Sequence, residues 1–226
     1  MAHETKRREL LAAGAGLILV AIPARAAGRK PAKKEEEEVS PGEDLMREHG
    51  VLNRVLLAYD EVARRLDGQE DAPLEPLAAA GGLIRRFIEG YHEKTEESEL
   101  FPRFEKSRTL VELVAVLRRQ HDAGRTLTAQ ILEQAGSKTA LDRARLATAL
   151  RKFVRMYRPH EAREDTVLFP AFHQLVGEKE YRRLGEAFEE QEHKILGEDG
   201  FEKAVEEIAQ IERALGIDDL AKFTPG

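Results

Sequence analysis

His92-Glu93-Lys94-Thr95-Glu96, followed by Leu100-Phe101-Pro102-Arg103-Phe104, returns later in the chain as His160-Glu161-Ala162-Arg163-Glu164 and Leu168-Phe169-Pro170-Ala171-Phe172, every position at the same offset. In each copy a His and a Glu stand four residues apart. On an α-helix that spacing gives about 6 Å of rise and nearly the same face, so both side chains can reach one centre. A second relation frames the first, because His49 precedes His92 much as His121 precedes His160. Glu is abundant here, so neither pair is specific by itself. The repeated Leu-Phe-Pro-x-Phe context with its four histidines is what composition alone does not produce.

Outward from these pairs, each His lies on an apolar stripe of helical period. Ser40-Pro41-Gly42-Glu43 reads as an N-cap, a proline at the first helical position and a Glu that closes a capping box. The helix it starts should run to about Asp67-Gly68, burying Leu45, His49, Leu52, Leu56, Tyr59, Ala63 and Leu66. A second helix, after Pro76, stacks Ile84, Ile88, His92 and Glu96 at steps of four. A third, from about Thr109 to Ala135, carries Leu110, Val114, Leu117, His121, Thr128 and Ile131; a fourth, from near Thr139, carries Leu146, Leu150, Phe153, Tyr157, His160 and Glu164. Two amphipathic stretches follow Gly177, from Glu178 to Gly197 and from Phe201 to Leu215. The pattern predicts an all-α protein: an up-down-up-down four-helix bundle over residues 40–177, with a C-terminal helical extension over 178–226 packed on it.

Composition narrows the function. The chain has 226 residues, 42% hydrophobic and 35% charged, which excludes disorder throughout. It has no Cys, so disulfides, thiolate metal sites and thiol nucleophiles are excluded, and a metal must be held by His, carboxylate or backbone oxygen. A net charge of −6 argues against a phosphate-backbone binder, and nucleic acid is not an expected partner. No Gly-rich phosphate loop or nucleophile elbow occurs.

The N-terminus has its own logic. Lys6-Arg7-Arg8, an apolar run from Leu10 to Pro23 and then Ala24-Arg25-Ala26-Ala27 form a signal-peptide layout. The apolar run is shorter than the roughly 20 residues a membrane-spanning helix needs, so cleavage after Ala26 is favoured over a retained anchor. The paired arginines before Glu9-Leu10-Leu11 resemble a twin-arginine export signal, which carries folded, cofactor-loaded proteins. Residues 1–26 are therefore expected to be a signal peptide and residues 27–39, containing Arg29-Lys30 and Glu35 to Glu38, a solvated charged linker. The mature chain should be periplasmic or otherwise exported, without stable membrane insertion.

Six donors on inner helix faces set the chemistry: His49, His92, Glu96, His121, His160 and Glu164. Two buried carboxylates without a cation are costly, and no Lys or Arg lies on those stripes to neutralise them. Four imidazoles and two carboxylates are too many for one tetrahedral zinc. They fit two metals, each taking two His while both Glu bridge, and an oxo or hydroxo bridge would bring each ion to five ligands. A sixth position stays open for a small ligand. Iron suits such a mixed set, though zinc or manganese pairs satisfy the spacing too.

At these residues the chain resembles the bacterial hemerythrin-like, or HHE cation-binding, family, over roughly Glu43 to Val176. The resemblance rests on His49, His92 with Glu96, His121, His160 with Glu164, and the two Leu-Phe-Pro segments. It implies a four-helix bundle around a non-haem di-iron centre, with two iron ions joined by an oxo or hydroxo bridge. Oxygen-carrying hemerythrins have a second His one turn along the third helix, where this chain has Arg125, so the carriers' five-His site is absent. Many relatives have adjacent His-His on the second helix; here Glu93 follows His92 and is a further candidate oxygen donor. Carriers also place Asp five residues after the last His. Both Glu164 and Asp165 are available here, and Glu164 is the choice because four residues subtend 400° and five subtend 500°.

Around the centre, Glu93, Glu97, Glu99 and Asp165 are candidates for orienting the imidazoles, and Tyr91 and Tyr157 for donating to a bound oxygen species or simply packing. Pro159 should kink the fourth helix and help aim His160, unless the helix restarts there. His173 lies too far along its helix for the same centre, and His193 is on an appended helix. The expected function is an exported di-iron protein that binds dioxygen or a related small ligand for sensing, scavenging or storage. The competing readings are a di-iron enzyme acting on peroxide or nitric oxide, a donor of iron for repair of damaged centres, and a metal-free helical interaction module. A ferritin-like iron oxidase is disfavoured, since that class uses Glu-x-x-His and more carboxylates.

Overall fold

The computed structural model describes residues 39–137 and 141–225. The expected signal peptide, almost all of the expected linker and the expected start of the fourth helix at Thr139 lie outside the described residues. Six helices follow in order: α1 (Pro41–Asp67), α2 (74–107), α3 (Val111–Ala135), α4 (143–176), α5 (Glu178–Leu196) and α6 (Gly200–Leu215), then a 3₁₀ turn at Leu220–Phe223. No strand occurs among the described residues.

The first helix begins as its cap residues dictate, with the Ser40 hydroxyl accepting from the Glu43 N–H at 3.3 Å and Pro41 in the first turn. Two expected boundaries move. The second helix starts at Leu74, not after Pro76, because a proline is tolerated anywhere in a first turn that has no intrahelical donors to lose. In the described chain α4 begins at Arg143, where the Asp142 side chain accepts from the Arg145 N–H at 2.9 Å. The helix runs unbroken through Pro159, so it does not restart there.

Neither long rod that carries a repeat is uniformly α-helical. Ile84–His92 and the turns Glu96–Leu100 and Glu164–Leu168 widen to π geometry, the last two with the Phe101 N–H reaching Glu96 O and the Phe169 N–H reaching Glu164 O five residues back. In the two turns of the repeat the next residue is a proline, Pro102 or Pro170, which has no N–H to give and whose ring would crowd the carbonyl four residues before it. The wider turn relieves that crowding and begins on each repeated Glu.

The apolar stripes of α1 to α4 pack into two clusters. One contains Val51, Leu52, Ile84, Ile88, Phe153 and Tyr157; the other contains Leu45, Leu100, Phe101, Val114, Leu117, Leu168 and Phe169. On every one of the four helices the repeated His or Glu positions fall between residues of the first cluster and residues of the second. The appended helices lie against the bundle through specific contacts: Gly42 N–H donates to Tyr181 Oη at 2.9 Å, Gln191 Nε2 to Thr95 Oγ1 at 3.2 Å, and Arg54 pairs with both carboxylate oxygens of Glu212 at 2.9 and 2.5 Å.

Candidate metal centre

Between the two apolar clusters all six repeated side chains turn inward, and every one is buried. They form two imidazole pairs of matching tilt. The rings of His49 and His92 have centroids 4.7 Å apart at 53°, and those of His121 and His160 are 5.1 Å apart at the same angle. Each carboxylate reaches one ring of each pair. Glu96 Oε2 lies 3.8 Å from His92 Nε2 and 3.4 Å from His121 Nε2; Glu164 Oε2 lies 3.4 Å from His49 Nε2 and 3.1 Å from His160 Nε2. Among the described residues three clusters of donor atoms lie within metal-sharing distance, and two are made of these side chains alone: Glu96, His121, His160 and Glu164, and His49, His92 and Glu164.

The outward nitrogen of every ring meets an oxygen. His49 Nδ1 lies 2.7 Å from Asp165 Oδ1, His92 Nδ1 2.5 Å from Glu48 Oε2, His121 Nδ1 3.1 Å from Glu97 Oε1 and His160 Nδ1 2.9 Å from Gln120 Oε1. Such partners orient each ring with Nε2 toward the centre, where a neutral imidazole would offer its lone pair to a cation. The phenylalanines of the repeat explain their own recurrence: Phe169 stacks on His49 and Phe101 on His121, each with centroids 5.5 Å apart.

This environment suits a cation. None of the four oxygens of Glu96 and Glu164 has a hydrogen-bond partner, nor does His121 Nε2, though all are buried. A native interior rarely tolerates that many orphaned polar atoms unless something absent completes them. Burial and then the Glu164 charge push Glu96 up to about 8. Glu164, equally buried, is held below the usual carboxylate range by the imidazoles of His160 and His49. Two carboxylates side by side share one proton until positive charge is placed between them. For His49, burial opposes the charged form, but the hydrogen bond to Asp165 and the nearby charge of Glu164 win and carry it up to about 10. His92 goes the other way, lowered by burial and by the neighbouring His49. The donor set thus fits a metal.

A scan of family models matches residues 40–172 to the hemerythrin HHE cation binding domain. The chain belongs to that family. This HHE chain is also 43% identical, over 96% of its own length and 89% of theirs, to an uncharacterized protein of Mycobacterium bovis and to uncharacterized proteins of two Mycobacterium tuberculosis strains. No solved structure matches it significantly.

Several neighbours of the HHE centre differ from expectation. The Tyr91 hydroxyl donates to Phe188 O at 3.3 Å on α5 and lies beside Glu48, the acid behind His92. Glu99 orients no imidazole and pairs with Arg103 at 2.9 Å. Glu93 is not free to act as an oxygen donor, since Tyr157 Oη donates to it at 2.7 Å and Arg125 lies 2.7 Å from its other oxygen. Arg125 bonds Glu97 as well, at 2.5 Å, so it fills the one remaining acidic cluster of Glu93, Glu97 and His121. Tyr157 packs its edge on His160, with centroids 5.3 Å apart. His173 stacks on Tyr181 and pairs with Glu178, and neither it nor His193 joins a donor cluster. Sequence reasoning missed Glu48 and Gln120. Each immediately precedes a repeated His and serves the other His of its pair, a relation visible only once the helices are placed side by side.

Proposed function

We propose that this protein is an exported non-haem di-iron protein that binds dioxygen or a related small ligand at a His4Glu2 centre. One observation carries the reading: each carboxylate approaches one imidazole of each pair. Two ions held in that way would have two nitrogens and two carboxylate oxygens apiece, short of the six that octahedral iron takes. Paired irons would supply the redox chemistry and the open positions that a diatomic ligand requires.

The chain's own residues supply the rest. Asp165, Glu48, Glu97 and Gln120 orient the rings, and Phe169 and Phe101 cover His49 and His121 from water. The layout of residues 1–26 supports export before this centre meets its ligand.

Metal analysis of the purified protein should find two irons per chain. Glu96→Ala and Glu164→Ala should each lose the paired metal, whereas His173→Ala should retain it; equal loss in all three would overturn the assignment. A visible band that appears when the reduced protein meets air and vanishes under vacuum would mark a binder. Irreversible bleaching, or catalytic loss of added peroxide, would mark an enzyme instead. Replacing Arg7 and Arg8 with Lys should retain the protein inside the cell.

A further inference from the structure

The internal repeat relates the halves of the centre by an approximate twofold: His49 answers to His121, His92 to His160 and Glu96 to Glu164. Their covers answer too, Phe169 to Phe101. The outer oxygens do not obey this symmetry. His49 and His92 are both backed by carboxylates, Asp165 at 2.7 Å and Glu48 at 2.5 Å. No Lys or Arg pairs with either acid among the described residues; burial and the charges of Asp44 and Glu192 push the Glu48 pKa well up, and a cation on His92 would favour its ionised form again. His160 is backed by the neutral amide of Gln120 at 2.9 Å. His121 is backed by a carboxylate, Glu97, that is already engaged by Lys94 at 2.8 Å and Arg125 at 2.5 Å.

A carboxylate behind an imidazole makes the ring a stronger donor to a cation, and an outer partner of this kind is worth about 10- to 100-fold in metal affinity. A neutral amide, or an acid neutralised by two cations, gives much less. We infer that the two metal positions are inequivalent: the His49/His92 side takes the first ion and holds it more tightly, with Glu48 and Gln120 as the positioning residues that set the order. The inference rests on the two-metal reading above and adds to it a sequence of loading.

Zinc, which is redox-inert, tests this apart from any activity. Titrated into the metal-free full-length chain in a calorimeter, Zn²⁺ should bind in two steps at least about 10-fold apart. His49→Ala should remove the tighter step and His121→Ala the weaker. Glu48→Gln, of the same size, should weaken the tighter step by about 10- to 100-fold, and Gln120→Glu should strengthen the weaker one. That last gain is something a merely damaged site cannot give. Two equal steps in the parent chain, the opposite assignment in the alanine variants, or a Gln120→Glu change that weakens binding would overturn the order while leaving two metals in place. Fewer than two bound ions would overturn the two-metal reading itself.

Discussion

Asp44 stands in the first turn of α1, where a helix N-terminus favours a negative charge. Burial outweighs that benefit, and with the charges of Glu192, Glu189 and Glu43 it pushes the Asp44 pKa up to about 6, against the pull of Arg47. The folded chain therefore keeps this proton to about pH 6, whereas an unfolded Asp releases it near pH 4. Between those values the native state binds more protons than the unfolded one, so the contribution of Asp44 to stability falls as pH rises through that window. Asp44→Asn should lack the fall and be the more stable protein at pH 7, by up to about 3 kcal/mol. Urea unfolding of both chains at pH 4.5 and pH 7 measures it, and a difference that does not grow with pH would refute it. At this scale the sequence is legible where a residue's role follows from its own helix. The stripes of four and three steps place His49, His92, His121 and His160 correctly because the helical period is local. Glu48 and Gln120 stay hidden because each acts on a ring carried by another helix, and nothing in a single stripe reports which neighbour it meets.

Elements show the same division. Caps made of local chemistry, such as Ser40 with Pro41 and Glu43, start a helix where they are read. The wide turns at Glu96–Leu100 and Glu164–Leu168 escape a reading that assumes 100° per residue, though Pro102 and Pro170, one in each repeat, are the residues that enforce them. The α3–α4 contact supplies a test of its own. A methyl group on Gly124 would lie 2.0 Å from Tyr157 Oη, so this glycine is what lets the phenol reach Glu93. In an exposed helix Gly→Ala gains about 1 kcal/mol. Here Gly124→Ala should instead cost about 1–3 kcal/mol, because α3 or the phenol must shift. In a Tyr157→Phe background, where the closest atom is gone, the cost should shrink. Urea denaturation of the four chains closes this cycle, and a cost unchanged by Tyr157→Phe would mean that the strain lies elsewhere.

Across the whole molecule, a layer of unsatisfied ligand atoms separates two apolar clusters that each of α1 to α4 must bridge. Without a cation that layer is a cost: orphaned carboxylates face one another, and the clusters on either side are tied together by the groups least content to be buried. Filling it removes the cost, so metal binding and folding are coupled. A site held at 100 times its dissociation constant adds about 2.7 kcal/mol, and a domain of this size gains roughly 2–4 °C per kcal/mol. Removing the metal with a chelator should therefore lower the melting temperature by about 5–10 °C for one such site and further for two. Glu96→Ala bears on the cause, because under the proposed function it should both lose paired metal and relieve the facing carboxylates. Its melting temperature should respond little to chelator, and its metal-free form should melt no lower than the metal-free parent despite the cavity left. If chelator moves the parent and the variant equally, the layer is not where cation binding and stability meet.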